Sequence, residues 1–194
     1  MRLELQSDDS DMSRSLSQEL RHVEQYVEMA MTFLRLDAGT TDYAFAEFSV
    51  DDIVRQELRR FSCEFIGRKI ALDYSPTELR VVTDEKWLGF VVGQLISNAL
   101  KYTPRGKISV YIEKPDTLCI GDTGIGIDPG DLPRIFEKGY TGANGRCDRR
   151  ATGLGLYLCR RACSNLGIDI SAQSNPGEGT VMRLKLPIKR AQSY

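Results

Sequence analysis

The chain has 194 residues, of which 41% are hydrophobic and 27% are charged, and its formal net charge is −1. These values are typical of a globular protein and give no electrostatic reason to expect nucleic acid or an anionic membrane as a partner. No apolar run approaches the roughly 20 residues that span a bilayer, and the N-terminus lacks a signal-peptide pattern. The five cysteines have no Cys-x-x-Cys spacing, which disfavours a disulfide framework or a zinc site and favours a reducing compartment.

The N-terminal part of the chain predicts a tail, a helix and a linker. Residues 1–14 are polar and predict a poorly ordered tail, and residues 189–194 form a tail at the other end. A helix is predicted over residues 15–38, because its apolar residues step by four and three. These residues are Leu16, Leu20, Val23, Val27, Ala30 or Met31, and Leu34. Such a seam fits a partner helix or the core of its own domain equally well. Residues 39–42 predict a linker, with Gly39 suited to cap the helix.

Residues 43–188 predict one domain that contains both strands and helices. Alternation and turn residues predict strands over residues 43–48, 70–74, 79–83, 107–113, 117–121, 169–174 and 180–186. Helical spacing predicts helices over residues 50–67, 84–102 and 152–166, with a short helical turn over residues 129–136. Ser49 is suited to cap the first of these helices. Cys159 and Cys163 share the apolar face of the last helix, which favours core packing over a redox pair.

The helix over residues 84–102 carries an unusual polar strip beside its apolar face. Gln94, Asn98 and Lys101 step by four and three, which aligns two amides and one ammonium along a single line. A solvated helix face normally carries alternating Glu and Lys instead. The strip is therefore a candidate wall of a ligand site.

The segment Asp122–Ile127 follows a short apolar strand and combines one carboxylate with two glycines. A strand end that fixes an acidic group, followed by glycines that let a ligand approach the backbone, is compatible with a nucleotide site. On its own, such a string more often forms a turn between strands. Further along, residues 138–151 are poor in apolar residues, and such a segment is usually a functional lid or a disordered insertion.

Four motifs, in this order, carry a resemblance to a known family. They are Q-L-I-S-N-A-L-K-Y-T (94–103), D-T-G-I-G-I (122–127), I-F-E-K-G-Y (135–140) and T-G-L-G-L (152–156). They resemble the N, G1, F and G2 boxes of sensor histidine kinases, in the superfamily that also holds gyrase, the Hsp90 chaperones and MutL. The stretch F-E-K-G-Y-T-G-A-N-G-R (136–146) is most similar to bacitracin-sensing, intramembrane-sensing kinases of Gram-positive bacteria.

The resemblance implies a fold and two cofactors. The fold is α+β, a two-layer α/β sandwich in which three helices cover a mixed, mostly antiparallel sheet, preceded by one amphipathic helix. The cofactors are ATP and Mg²⁺. Residues 15–38 then correspond to the second helix of a dimerisation hairpin, and residues 43–188 to the ATP-binding catalytic domain.

The resemblance also assigns roles to individual residues. Asp122 would accept a hydrogen bond from the exocyclic amine of adenine, and Asn98 would offer an oxygen to Mg²⁺. Lys101 and Lys138 would neutralise phosphate charge, and Asn98 would be the third catalytic residue. The remaining nucleotide contacts are Gln94, Tyr102, Gly124, Ile125, Gly126, Phe136, Tyr140, Thr141, Arg146, Thr152, Gly153, Leu154, Gly155, Leu156 and Thr180.

Two departures from the family pattern narrow the expected activity. Gln94 stands where the family commonly has Asn, and where ATP-hydrolysing relatives carry a Glu that activates water; a glutamine cannot take up that proton. The second departure concerns His22, which is the only histidine and lacks the acidic residue and nearby proline that usually follow a phosphoacceptor. We therefore expect a domain that donates phosphate to a histidine outside this chain.

The expected partners are the upstream dimerisation hairpin of the same kinase, a response regulator and a second copy in the full-length protein. Nucleic acid and direct membrane contact are not expected. The domain is expected in the cytoplasm, with its parent anchored in the bacterial plasma membrane. Two alternatives stay open: a serine kinase of the anti-sigma-factor type, and a module that senses ATP or dimerises without transferring phosphate.

Overall fold

The computed structural model describes residues 27, 29–36, 43–113, 115–142 and 152–187. The chain divides into two compact units, Met1–Thr41 and Asp42–Tyr194. In the first unit, residues 29–36 are helical, and Val27, Met31 and Leu34 are 58%, 48% and 59% exposed. The predictions for the N-terminal tail, for His22 and for the linker with Gly39 lie outside the described residues. Within the described ranges, no helix combines the length and apolar character needed to cross a bilayer.

The second unit contains a five-stranded sheet and a separate two-stranded sheet. Its strands are β1 (Ala46–Ser49), β2 (Ala71–Tyr74), β3 (Arg80–Thr83), β4 (Lys107–Glu113), β5 (Thr117–Asp122), β6 (Asp169–Asn175) and β7 (Gly179–Lys185). The larger sheet has the order β2-β4-β5-β7-β6, and β1 pairs with β3 in the smaller one. Only β2 and β4 are parallel. The strands predicted over residues 107–113, 117–121, 169–174 and 180–186 are confirmed, and they form the hairpins β4-β5 and β6-β7.

In the described part of this unit, four α-helices accompany the larger sheet: α1 (Val50–Arg60), α2 (Ser62–Arg68), α3 (Glu85–Tyr102) and α4 (Gly155–Leu166). Helix α3 is central, because it packs against α1, α4 and β5. The core between helices and sheet includes fully buried side chains of Leu88, Leu95, Ile108, Ile120 and Leu184. Each such side chain contributes about 1.5–3 kcal/mol through burial. This packing fixes α3 firmly, and α3 carries the polar strip.

Helix α3 begins at a well-defined cap. The Asp84 carboxylate accepts hydrogen bonds from the backbone N–H of Trp87 at 3.1 Å and from that of Ala44 at 2.8 Å. One side chain thus satisfies a free helix N–H group and ties the start of the domain to its central helix. Ser49 caps α1 in the same way, as predicted, by accepting from the N–H of Asp52 at 3.3 Å.

The cysteines of α4 pack in the core, as predicted. Cys159 and Cys163 are both fully buried. Desolvation raises the pKa of the Cys163 thiol to about 12. Desolvation, together with Cys163, also raises the pKa of Cys159. Neither residue is a reactive thiolate near neutral pH.

Several predicted boundaries were wrong. The single helix predicted over residues 50–67 breaks at Phe61, where the Ser62 hydroxyl donates to the carbonyl of Arg59 at 2.8 Å. The strand predicted over residues 43–48 occupies Ala46–Ser49, and the last helix begins at Gly155 rather than at residue 152. The bounds of β1 follow from its pairing with β3, in which Ala46–Ser49 lie opposite Arg80–Thr83.

Candidate functional site

The polar strip of α3 lies at the C-terminal end of that helix. The Gln94 amide donates to Asn98 Oδ1 across 3.5 Å, and both residues are half-buried. Lys101 is exposed, and its Nζ lies 5.3 Å from the centre of the Tyr102 ring. The structure therefore brings together the three residues that the spacing predicts, and it adds an aromatic ring beside the ammonium.

Arg68 holds this end of α3 in place. Its Nη1 donates to the carbonyl of Leu100 at 2.5 Å, and its Nη2 donates to the carbonyl of Thr103 at 3.3 Å. The last carbonyls of a helix lack intrahelical partners, so a guanidinium is a favourable cap for them. Arg68 was not predicted as a site residue, because no local pattern relates it to carbonyl groups 32 and 35 residues further along the chain.

The segment Asp122–Ile127 is attached directly to the end of α3. The backbone N–H of Ile125 donates to the carbonyl of Tyr102 at 3.1 Å. A Cβ atom on Gly124 would lie 2.2 Å from that same carbonyl oxygen, so only glycine allows this approach. The Asp122 carboxylate accepts from the N–H of Gly124 at 2.8 Å. The carboxylate is thereby held next to the C-terminal end of α3.

The β6-β7 hairpin fixes the other side of this segment. The Ser174 hydroxyl accepts from the N–H of Ile127 at 2.8 Å and donates to the carbonyl of Gly179 at 2.7 Å. It also lies 2.9 Å from the Thr180 hydroxyl. Ser174 was not predicted as a site residue, because its role follows from a long-range contact between β6 and the loop after β5.

Gly126 shows how closely the segment and the hairpin approach each other. Its φ is +71°, and a Cβ atom there would lie 2.0 Å from the carbonyl oxygen of Asn175. The N–H of Gly177 in turn donates to the carbonyl of Ile125 at 2.8 Å. The segment is thus bonded on both sides, and its two glycines are required by backbone contact.

Burial of Asp122 sets the electrostatics of the site. Desolvation raises the pKa of its carboxyl group. Hydrogen bonds from the N–H groups of Gly124 and Thr180, and the hydroxyl of Thr103, act in the opposite direction and lower that pKa. A half-buried carboxylate with neutral donors around it is suited to accept a hydrogen bond from a ligand rather than to hold a cation.

The glycine turn before α4 closes a third side. A Cβ atom on Gly155 would lie 2.5 Å from the Gln94 Nε2, so the start of α4 touches the polar strip directly. Gly153 has a φ of +65°, and its carbonyl accepts from the N–H of Gly139 at 3.0 Å. The motif over residues 152–156 is therefore linked to the strip on one side and to the motif over residues 135–140 on the other.

Three other predicted site residues, Phe136, Lys138 and Tyr140, lie in the motif over residues 135–140. Tyr140 donates from its hydroxyl to Asp131 at 2.5 Å, and the Arg134 guanidinium lies 4.3 Å from the centre of its ring. Phe136 lines a groove of about 540 Å³ against β6, with the Arg160 guanidinium 5.5 Å from its ring centre. Lys138 is exposed, whereas Arg146 lies outside the described residues.

The residues present fit a divalent cation that is bound mainly through a ligand. Within the described part of the chain, no group of three or more His, Cys, Asp or Glu residues could hold a metal ion. Asn98 offers a neutral oxygen, which is suitable for Mg²⁺ when phosphate oxygens and water supply most of the coordination. Asn98 is therefore the candidate protein ligand, and Mg²⁺ would supply charge neutralisation there.

Comparison with protein families identifies the class of this domain. Residues 83–190 match the model of the histidine kinase-, DNA gyrase B- and HSP90-like ATPases. This match covers more than half of the chain and contains all four motifs. The chain belongs to this family, and the resemblance predicted from the four motifs is confirmed.

Individual relatives agree with this assignment. Sensor protein BceS of Halalkalibacterium halodurans is 32% identical to this chain over 183 residues, which amount to 93% of this chain and 55% of BceS. The chain thus spans about half the length of the curated relatives it matches. The similarity to BceS agrees with the resemblance of residues 136–146 to bacitracin-sensing, intramembrane-sensing kinases.

Two solved structures confirm the predicted α+β fold. The catalytic domain of histidine kinase ThkA matches with a TM-score of 0.63 at 23% identity, over 74% of this chain and 95% of that chain. Full-length ShkA in complex with AMPPNP matches with a TM-score of 0.69 at 24% identity, over 86% of this chain and 36% of that chain. At these identities the matches establish the fold alone.

Proposed function

We propose that this domain binds ATP with Mg²⁺ and donates the γ-phosphoryl group to a histidine on a dimerisation hairpin. The observation that carries the proposal is the junction at the Tyr102 carbonyl. There the N–H of Ile125 donates at 3.1 Å and Gly124 makes close backbone contact. This junction joins the carboxylate segment to the polar strip of α3. A nucleotide site needs one group that recognises the nucleobase and another that binds the phosphates. The carboxylate is suited to the first role and the amide–ammonium strip to the second.

The adenine end of the proposed site is the Asp122 carboxylate. An ionised carboxylate accepts hydrogen bonds and donates none, so it favours the exocyclic amine of adenine over the carbonyl that guanine has at that position. Gly124 and Gly126 keep side chains away from the base. Thr180, which pairs with Asp122 across β5 and β7, is the neighbouring hydroxyl on this side.

The phosphate end combines the strip of α3 with the glycine turn before α4. Lys101 supplies positive charge, and Asn98 is the proposed Mg²⁺ ligand. The turn Gly153–Gly155 lies at a helix start, where anions are favoured. Lys138 and Arg146 are the further cations proposed to neutralise the transferred group. Catalysis then consists mainly of positioning and charge neutralisation.

Gln94 supports phosphate transfer over hydrolysis. Its side chain carries no carboxylate, so it cannot take a proton from water as a general base. It is also packed against Gly155 and bonded to Asn98, which leaves it a positioning role. The proposed acceptor is a histidine outside this chain, and the phosphate passes next to an aspartate of a response regulator. The parent is proposed to be a membrane-anchored homodimer.

Radioactive ATP and a separately supplied histidine-bearing hairpin test this proposal. The expected result is acid-labile label on the hairpin histidine, lost when Asp122→Ala or Asn98→Ala replaces the parent chain. Unchanged ATP binding in both variants would contradict the proposed site. Label on a protein serine would favour the anti-sigma-type kinase, and no label despite ATP binding would favour a sensing module.

His22 needs its own control in that experiment. Label on the chain itself that disappears in His22→Ala would show that His22 is the acceptor, against our prediction. A label pattern that is identical in the parent chain and in His22→Ala supports an acceptor outside the chain.

A further inference from the structure

Thr103 is a buried residue at the junction between α3 and the carboxylate segment. It is fully buried, and its hydroxyl has no hydrogen-bond partner within the described part of the chain. A buried hydroxyl without a partner costs free energy, and such groups are rare in folded proteins. One other side chain in the described ranges, Thr83, shares this property.

The backbone of Thr103 is held from two directions. Its carbonyl accepts from Arg68 Nη2 at 3.3 Å, and its neighbour Tyr102 accepts from the N–H of Ile125. The methyl group of Thr103 lies toward Gly106, where a Cβ atom would come within 3.7 Å of it. The side chain is therefore packed in a fixed place beside the carboxylate segment.

The polar neighbour of this hydroxyl is the Asp122 carboxylate. A Cβ atom on Gly124 would lie 2.2 Å from the carbonyl oxygen of Tyr102, the residue before Thr103, and 2.8 Å from Asp122 Oδ1, so the carboxylate lies at the end of α3 beside Thr103. The hydroxyl lowers the pKa of Asp122, although the two groups do not reach hydrogen-bonding geometry in the structure. The other donors to that carboxylate are the N–H groups of Gly124 and Thr180. Desolvation raises the pKa of Asp122, whereas all three donors lower it. None of the three donors is charged.

We infer that Thr103 is a positioning residue for base recognition, whose hydroxyl donates to the Asp122 carboxylate when that carboxylate accepts the adenine amine. This inference rests on the proposed function. As the third donor, the Thr103 hydroxyl favours the ionised form of the half-buried Asp122 carboxylate and fixes its orientation. The same hydrogen bond gives the buried hydroxyl an acceptor. Thr103 itself does not touch the base; it acts through Asp122.

ATP affinity measured by calorimetry from pH 5 to pH 8 tests this role. The proteins are the parent chain, Thr103→Val, Thr103→Ser and the control Thr83→Val. Valine keeps the shape of threonine but removes the hydroxyl, whereas serine keeps the hydroxyl. Thr83→Val removes the other unpartnered hydroxyl, at the end of β3, outside the proposed site.

Thr103→Val is expected to bind ATP about tenfold more weakly at pH 8, the loss typical of a hydrogen bond to a charged group. As the pH is lowered, the ATP affinity of this variant is also expected to begin to fall at a higher pH than that of the parent. The reason is that Asp122 loses a donor that lowers its pKa. Thr103→Ser is expected to restore both properties, and Thr83→Val to leave both unchanged. Titration of ATP itself is common to all four proteins, so differences between profiles come from the protein.

The possible failures are distinguishable. A parent chain that binds no ATP would refute the proposed function. A parent that binds ATP, together with a folded Thr103→Val variant of equal affinity and equal pH profile, would overturn only the role of Thr103. Weaker binding without a shift along the pH axis would also overturn it, since loss of packing alone would have that effect.

Discussion

Gln94 occupies the space into which a side chain at residue 155 would project. A Cβ atom on Gly155 would lie 2.5 Å from Gln94 Nε2 and 3.0 Å from its Cδ. The first residue of α4 and the polar strip of α3 are thus fitted to each other, although 61 residues separate them in the chain. This contact makes the glycine turn part of the same site as Asn98.

Gly155→Ala is expected to weaken Mg–ATP binding about fivefold, the effect of losing a hydrogen bond worth about 1 kcal/mol. The new methyl group pushes the flexible Gln94 amide away from Asn98, while the helix itself tolerates alanine well. Calorimetric titration with Mg–ATP measures the loss. Gly67→Ala is the control, because no atom lies within 4 Å of that Cβ position.

A double-mutant cycle checks the cause. If the Gln94 contact is responsible, Gly155→Ala should cost much less affinity in a Gln94→Ala background. Equal losses in both backgrounds would contradict the proposed contact.

Asp122→Asn is expected to weaken ATP binding about tenfold or more, while increasing the stability of the domain at neutral pH. Burial raises the pKa of Asp122, so the stabilising effect of its protonation is fully present below the ordinary value of 3.8 and is lost as the pH rises through the folded-state pKa. At neutral pH the parent therefore keeps a desolvated charge that asparagine avoids.

Thermal unfolding at pH 4 and pH 7 measures this effect. The stability difference between Asp122→Asn and the parent should be larger at pH 7 than at pH 4. A variant that is less stable than the parent at both values would show that the carboxylate stabilises the fold.

Gly126→Ala is expected to destabilise the domain more strongly than Gly177→Ala. Both glycines have positive φ, +71° and +80°, so alanine costs about 1–2 kcal/mol at either position. Only at Gly126 would the Cβ atom also meet backbone, 2.0 Å from the carbonyl oxygen of Asn175, whereas nothing lies within 4 Å at Gly177. Urea denaturation measures the free energy of unfolding of both variants. The difference between their losses is the cost of the backbone contact, because the cost of the positive φ is common to both. Equal losses would mean that the hairpin moves aside.

Ser174→Ala is expected to lower the free energy of unfolding by about 1–3 kcal/mol, because it leaves the half-buried N–H of Ile127 without its acceptor. Ser171→Ala, on the exposed face of the same strand, is the control and should have little effect. Denaturant titration compares the two. A stability loss shared by both variants would indicate a general weakening of β6.

The sequence was most informative where chemistry and spacing agree. The strip Gln94–Asn98–Lys101 was predictable because helical periodicity places those side chains on one line. The hairpins β4-β5 and β6-β7 were predictable because their turns are short and marked by proline or glycine. The core role of Cys159 and Cys163 followed from the same periodicity.

Features that depend on distant pairing were not predictable. Residues 75–79 connect strands that belong to different sheets, since β2 pairs with β4 and β3 pairs with β1. The break at Phe61 involves no glycine or proline. Arg68, Thr103 and Ser174 act on partners brought close only by the folded chain, so no local pattern marks them.

The bonds on both sides of Asp122–Ile127 have a consequence for ligand design. Because the Tyr102 carbonyl, Ser174 and Gly177 already hold this loop, no backbone there has to be ordered when a ligand arrives. Under the proposed function, the base pocket is preorganised, and a small ligand pays little conformational entropy to enter it. A flat aromatic fragment bearing one amino group is then a suitable starting compound, and Ile125, 39% exposed, offers it apolar contact.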